Sequence, residues 1–221
     1  MSRSMVWRLI VKDLYLYRGI VVLATVVGLA SLVIGVDRQE GWNIGAILFV
    51  TSLVALGIFI GMYGILRERQ ERSLLFVLSL PISPTQYAAA KIVSALASFL
   101  APWLTILLTT LVLLRMDDGL GRAPQILAMM GFFLADFCVL LALFMATASE
   151  KWAVAGILLT NMSVSVYFMM VNSLPGIADY LGGAFPVWTP TVLTVIATEA
   201  AVSIISIALA FYLPSRKKDF I

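Results

Sequence analysis

Long apolar runs alternate with short polar breaks along the whole chain. Six runs, over 19–36, 44–66, 92–114, 126–148, 153–171 and 191–213, come close to or exceed the roughly 20 apolar residues a bilayer-spanning helix needs. The breaks between them are too short to fold as soluble domains. The pattern predicts an all-α integral membrane protein with six transmembrane helices, the whole of 1–221 forming a single transmembrane domain.

The breaks carry their own patterns. Residues 4–18 read S-M-V-W-R-L-I-V-K-D-L-Y-L-Y-R. Arg8 and Lys12 lie four apart, on one helical face, and Trp7, Leu9, Ile10, Val11, Leu14 and Tyr15 supply apolar and interfacial surface. This predicts an N-terminal interfacial helix lying on the membrane ahead of the first span, the alternative being a plain continuation of that span. Residues 67–91 form the longest polar segment. It opens R-E-R-Q-E-R, turns apolar as S-L-L-F-V-L-S-L and breaks at Pro81 and Pro84. A short helix over about 70–80 would stop before Pro81, because the residue preceding proline disfavours helix. Such a helix is too short to span and too apolar to stand in water, so it must dock on the membrane surface or on another protein. The 172–190 segment has no basic residue and one acid, Asp179, and is rich in Gly, Pro and apolar side chains. It reads equally as an exposed loop or as one dipping into the outer leaflet behind a protein shield. In the second run, Gly57 and Gly61 make a G-x-x-x-G pair suited to close helix packing within the bundle.

Composition sharpens this picture. The chain is 62% hydrophobic with a mean hydropathy of +1.02, well above the roughly 45–50% apolar content of soluble domains. No soluble catalytic domain is left to find. There is no histidine, so the commonest general base and metal ligand is missing. The lone Cys138 can form neither an internal disulfide nor a thiolate metal site, and reads as a packing residue. The first run outlasts a signal-peptide core and is followed by Asp37-Arg38-Gln39-Glu40, so it is expected to be retained. Basic residues are distributed unevenly. Arg3, Arg8, Lys12, Arg18, Arg67, Arg69, Arg72, Lys91, Lys151, Arg216, Lys217 and Lys218 fall on one side of the membrane, and Arg38, Arg115 and Arg122 on the other. The positive-inside rule then places both termini in the cytoplasm. No basic and aromatic surface remains for nucleic acid.

Polar groups inside the runs are the candidate site. Asp136 lies near the middle of the fourth, where an acid costs about 2.5–3.5 kcal/mol to insert. Glu199 shares a helical face with Ser203 and Ser206 in the sixth, and Asn161 pairs with Ser165 in the fifth. Together they suggest a polar seam. It would either line a substrate path or tie helices together by hydrogen bonds worth about 0.6 kcal/mol each. With no histidine or lysine inside the spans to partner the acids, the second reading is favoured. The chain shows no G-x-x-x-x-G-K-[ST], G-x-S-x-G or H-E-x-x-H, so no catalytic residue and no metal ligand is expected. D-D-G-L-G-R at 117–122, with Gly131 and Asp136, loosely resembles membrane alcohol phosphotransferases. The spacings are off by one residue, however, Leu140 replaces an aspartate, and the charge rule puts Asp117 and Asp118 outside.

The string E-R-S-L-L-F-V-L-S-L-P-I-S-P-T-Q-Y-A-A-A-K resembles the cytoplasmic signature of ABC-2 type permeases. The matching residues are Glu71, Arg72, Leu74, Leu75, Val77, Leu78, Leu80, Pro81, Ile82, Ser83, Tyr87 and Lys91. W-R-L-I-V-K-D-L near the start and R-K-K-D-F-I at the end are similar to the ends of such subunits. Leu75 departs from the pattern, standing where many members carry an acid, and the segment before the last span is short. The resemblance implies the membrane subunit of a bacterial ATP-driven exporter, multi-pass in the cell (inner) membrane, with a short coupling helix between spans two and three. That helix would dock on a separate ABC ATPase through Glu71, Arg72, Leu74, Leu75, Val77, Leu78, Leu80 and Pro81. It further implies two ATPase copies holding ATP and Mg, no cofactor in this chain, surrounding membrane lipids, and a second copy or a homologous permease. An apolar bundle with few charges suits a lipid, drug or peptide cargo. The competing readings are a membrane-embedded phosphotransferase and a non-transporting scaffold or immunity protein.

Overall fold

The computed structural model describes residues 2–36, 39–70, 83–147, 149–181 and 183–216. Helix α1 runs Ser2–Val36, α2 Gln39–Gly61, α3 Arg67–Gln70, α4 Pro84–Met116, α5 Ala123–Ala146, α6 Glu150–Ser173 and α7 Pro190–Arg216. A π-helical turn, Met62–Leu66, joins α2 to α3. Among the described residues there is no strand, and six helical stretches are long and apolar enough to cross a membrane. The expected coupling helix lies outside the described residues, and with it Glu71, Arg72, Leu74, Leu75, Val77, Leu78, Leu80 and Pro81.

Helix α5 is the centre of the bundle. It packs most extensively on α7, and also on α6, α2 and α4, while α1 lies against α2 and α4. Half of the α5 membrane-crossing stretch is buried, against 17% for α6. The outer helices instead expose apolar rows, such as Leu158, Leu159, Met162, Val166 and Met169 on α6 and Ile204 and Ile205 on α7. In water such rows would drive association. Against lipid tails they cost nothing, because the tails are as apolar as leucine.

Two helix boundaries differ from the sequence expectation. Residues 4–18 do not form a separate surface helix; they are the first turns of α1, which is continuous to Val36. Its 35 residues reach about 50 Å, more than the roughly 30 Å hydrocarbon core, so one end must project beyond the apolar layer. Helix α4 starts well before residue 92. Pro84 is its first residue rather than a break, because Ser83 and Gln86 form a reciprocal capping box and proline fits the first helical position, where no N–H is needed.

The interior divides into two apolar clusters. One, toward the end carrying Lys12, Glu68 and Lys91, gathers Tyr17, Leu56, Ile60, Ile65, Phe99, Phe137 and Phe144. The other gathers Leu53, Ile106, Met130, Phe133, Val171, Ile177 and Val192. Gly57 and Gly61 serve the first. Gly57 faces the rings of Phe137 and Phe99, and a Cβ on Gly61 would overlap the ring of Phe144 on α5. The pair thus packs inside the bundle, and Phe99 stacks on Phe137 with ring centroids 4.1 Å apart. At the opposite end the 172–190 loop folds against the α4–α5 turn. Gly121 N donates to Gly183 O at 2.9 Å, Gln125 bonds Asn172, and Ile177 is buried.

The glycine contacts predict an outcome. Gly61→Ala should overpack the Phe144 contact and lower stability by about 1–3 kcal/mol, whereas Gly19→Ala, with nothing near its new Cβ in the interior of α1, should hold or slightly raise it. Thermal unfolding of both variants in detergent checks this, and equal melting temperatures would contradict the packing described.

Candidate functional site

Four charged side chains converge at the basic end of the bundle. Lys91, on the second turn of α4, places its Nζ 2.9 Å from Asp13 Oδ2 of α1 and pairs also with Glu68 Oε2 of α3. The Lys91 side chain is 5% exposed and that of Asp13 2%. Lys12, much more open, reaches Glu68 Oε1 at 3.4 Å. Neutral donors join them: Ser94 Oγ donates to Asp13 Oδ2 at 3.2 Å and Tyr87 Oη to Glu68 Oε2 at 3.3 Å. The buried charges of Lys91 and Asp13 are paired and hydrogen-bonded, the condition under which buried charge is tolerated.

Local structure makes this convergence possible. The π turn over Met62–Leu66 inserts an extra residue into the helical path ahead of Glu68. Gly64 within it leaves room for Tyr17 Oη of α1, which a Cβ would overlap. The early start of α4 puts Lys91 deep enough in the helix to reach α1. The cluster therefore brackets the 71–82 segment in sequence: Glu68 precedes it, Tyr87 and Lys91 follow it, Glu68 binds both of the others, and Glu68 and Lys91 bind α1.

Inside the spans, the predicted polar residues part company. Glu199 is 7% exposed. Its Oε1 accepts from Tyr167 Oη of α6, and its Oε2 is buried against Gly131 of α5 with no hydrogen-bond partner among the described residues. Gly131 is small because Glu199 occupies the space a Cβ would take. Ser203 is buried one turn on, its Oγ donating to Glu199 O at 2.9 Å. Asp136 lies at the junction of the two apolar clusters, facing a cavity of about 10 Å³ with Leu53, Val54, Gly57, Phe99 and Phe133. Asn161 and Ser165 do not join a seam. Both are exposed on the outside of α6, and Asn161 Nδ2 is satisfied by Ile157 O of its own helix at 2.8 Å. Their four-residue spacing does put them on one face, but that face points away from the bundle.

Helices α6 and α7 both rest on α5 and leave a groove of about 580 Å³ between them. Tyr167, Met170 and Leu174 line one wall, and Thr194, Thr198 and Glu199 the other. Asp117 and Asp118 are exposed in the turn before α5, whereas Asp136 lies about 20 Å along that helix. Among the described residues no cluster of three acidic or thiol side chains could hold a metal ion.

The 13–68–91 cluster escaped the sequence reading. Lys91 was legible as the start of a span, but its partners are far away in sequence. The one available signal was a charge pattern: Asp13 and Glu68 are acids inside otherwise basic stretches. Comparison with known proteins adds a family. The family model described as ABC-2 family transporter protein matches residues 8–215. No curated protein and no solved structure matches the chain.

Lys91→Met should leave Asp13, 2% exposed in its side chain, buried without the lysine it pairs with, while Glu68 keeps Lys12, and cost about 3–5 kcal/mol. Adding Asp13→Asn and Glu68→Gln should restore most of that loss, because the carboxylates that faced Lys91 lose their charge with it. Unfolding temperatures of the single and triple variants test the pairing, and a triple variant no more stable than the single would count against it.

Proposed function

The chain belongs to the ABC-2 family of transporter proteins, a family of multi-pass transporter membrane subunits, and on that premise we propose that it is the permease of an ATP-driven exporter in a bacterial cell membrane. The observation that carries the reading is the match over 8–215, nearly the whole chain. ATP and Mg belong to a separate ABC ATPase, present in two copies. A second copy of this chain, or a homologous permease, completes the translocating unit. The cargo is hydrophobic or amphipathic, in keeping with an apolar bundle whose described interior holds few charges.

The basic-end cluster supports a specific route for the power stroke. The 71–82 segment takes the push of the ATPase through the apolar face of Leu74, Leu75, Val77, Leu78 and Leu80, with Glu71 and Arg72 at its start and Pro81 at its end. Its two stems are bound to each other and to α1 through Glu68, Lys91 and Asp13. A displacement of the segment is therefore handed to three membrane helices together. Asp136 and Ser203 act as packing groups in this account, the bundle moving around them. Asn161 and Ser165, on the outer face of α6, meet lipid or the second permease.

Leu78→Asp puts a charge into the docking face, where desolvation opposes binding. The variant should insert and fold as the parent does but lose the co-expressed ATPase on affinity purification. Recovery of the ATPase at the parental ratio would remove the 71–82 segment from the coupling role.

A further inference from the structure

The groove between α6 and α7 is lined by acceptors and contains an acid with no counter-charge among the described residues. Glu199 is the only acid lining it, and among the described residues no lysine or arginine pairs with it. Its Oε2 is sealed against Gly131 of α5, and its Oε1, held by Tyr167 of the groove wall, is the oxygen on the groove side. The neighbouring polar side chains have committed their hydrogens elsewhere. Tyr167 Oη donates to Glu199, Thr194 Oγ to Pro190 O and Thr198 Oγ to Thr194 O, both threonine bonds at 2.8 Å. Each of these oxygens keeps lone pairs free to accept. Only Thr191, at the mouth, holds a hydroxyl not committed in this way. The start of α7 offers little to an anion: Pro190 has no N–H, and Thr189 takes those of Val192 and Leu193. Met170 and Leu174 supply the apolar wall.

We propose that this groove is a binding site for a cationic amphiphile, a protonated primary or secondary amine on an apolar body, with the ammonium against Glu199 and the body along Met170 and Leu174. The volume of about 580 Å³ falls within the range of pockets that take drug-sized ligands. The ammonium supplies what the groove lacks, a positive charge and N–H donors, at the Oε1 side of an acid that has no counter-charge among the described residues. A zwitterionic lipid headgroup fits less well, because its phosphate would meet a carboxylate and three committed hydroxyls with no basic residue among the lining side chains. The proposal rests on the transporter reading only in making this amine the cargo; the site itself is a property of the chain alone.

The test uses the full chain in lipid nanodiscs and a dodecylamine carrying a diazirine. Photolabelling should fall on peptides covering 167–174 and 190–199. Unlabelled dodecylamine should compete at concentrations about tenfold below those needed for dodecanol or dodecanoate. Glu199→Gln keeps the shape and removes the charge, and should weaken competition by dodecylamine about tenfold. Thr194→Leu fills the groove from an exposed position without touching the Tyr167–Glu199 bond, and should abolish the labelling even if Glu199→Gln fails to assemble. Equal competition by all three compounds, or full labelling in Thr194→Leu, would overturn the site. Association of the ABC ATPase is read separately. Specific labelling without any ATPase association keeps the site and overturns the transporter reading; ATPase association without specific labelling does the reverse.

Discussion

A lysine ammonium sealed between two carboxylates constrains the basic half of this protein. Lys91 is 5% exposed in its side chain, and an unpaired charge so buried costs several kcal/mol. The fold must therefore bring Asp13 and Glu68 to it, and several otherwise separate features serve that requirement. The capping box at Ser83 starts α4 early enough to place Lys91 on its second turn. The π turn after α2 sets the direction of α3 and hence of Glu68. Gly64 lets Tyr17 pass, which brings α1 and Asp13 close. Lys12, Tyr87 and Ser94 occupy acceptor sites that Lys91 alone could not fill. The cluster holds α1, α3 and the start of α4 as one body.

Away from that end, cohesion comes from shape. Glycines on α2 admit aromatic rings from α5, and Trp103 of α4 donates to Met130 O of α5 at 2.8 Å. Lipid supplies no hydrophobic drive between helices, so close contact and a few well-made hydrogen bonds must suffice. Asp136 and Glu199 stand out against this background for opposite reasons. Asp136 is half-buried among apolar residues of both clusters, beside a cavity hardly larger than a water molecule. Glu199, more deeply buried, is held by Tyr167 at the side of the groove between α6 and α7.

The six spans were legible because lipid demands long uninterrupted apolar runs, and nothing local competes with that signal. Helix ends were less legible. Pro84 reads as a breaker until its neighbours Ser83 and Gln86 are seen to form a cap, and residues 4–18 carry a surface pattern yet continue as α1. Faces were half legible. Spacing correctly put Glu199 and Ser203 together and Asn161 and Ser165 together, but spacing alone does not say which way a face turns, and the second pair turns outward. The charge cluster was not legible, since Asp13, Glu68 and Lys91 meet only through tertiary packing and each looks like an ordinary charge near a membrane surface.

The central claim is that the basic ends of α1, α3 and α4 move as one body when the transporter turns over. Spin labels at Val11 on α1 and Thr85 on α4, both exposed, report it directly through the pulsed-EPR distance between them. In the complex with the proposed ABC ATPase, the account predicts the same mean distance in nucleotide-free and ATP-trapped states, with the two states diverging once Lys91 is replaced by methionine. A distance that changes with ATP in the otherwise unaltered protein, and changes equally in the Lys91→Met variant, would contradict it.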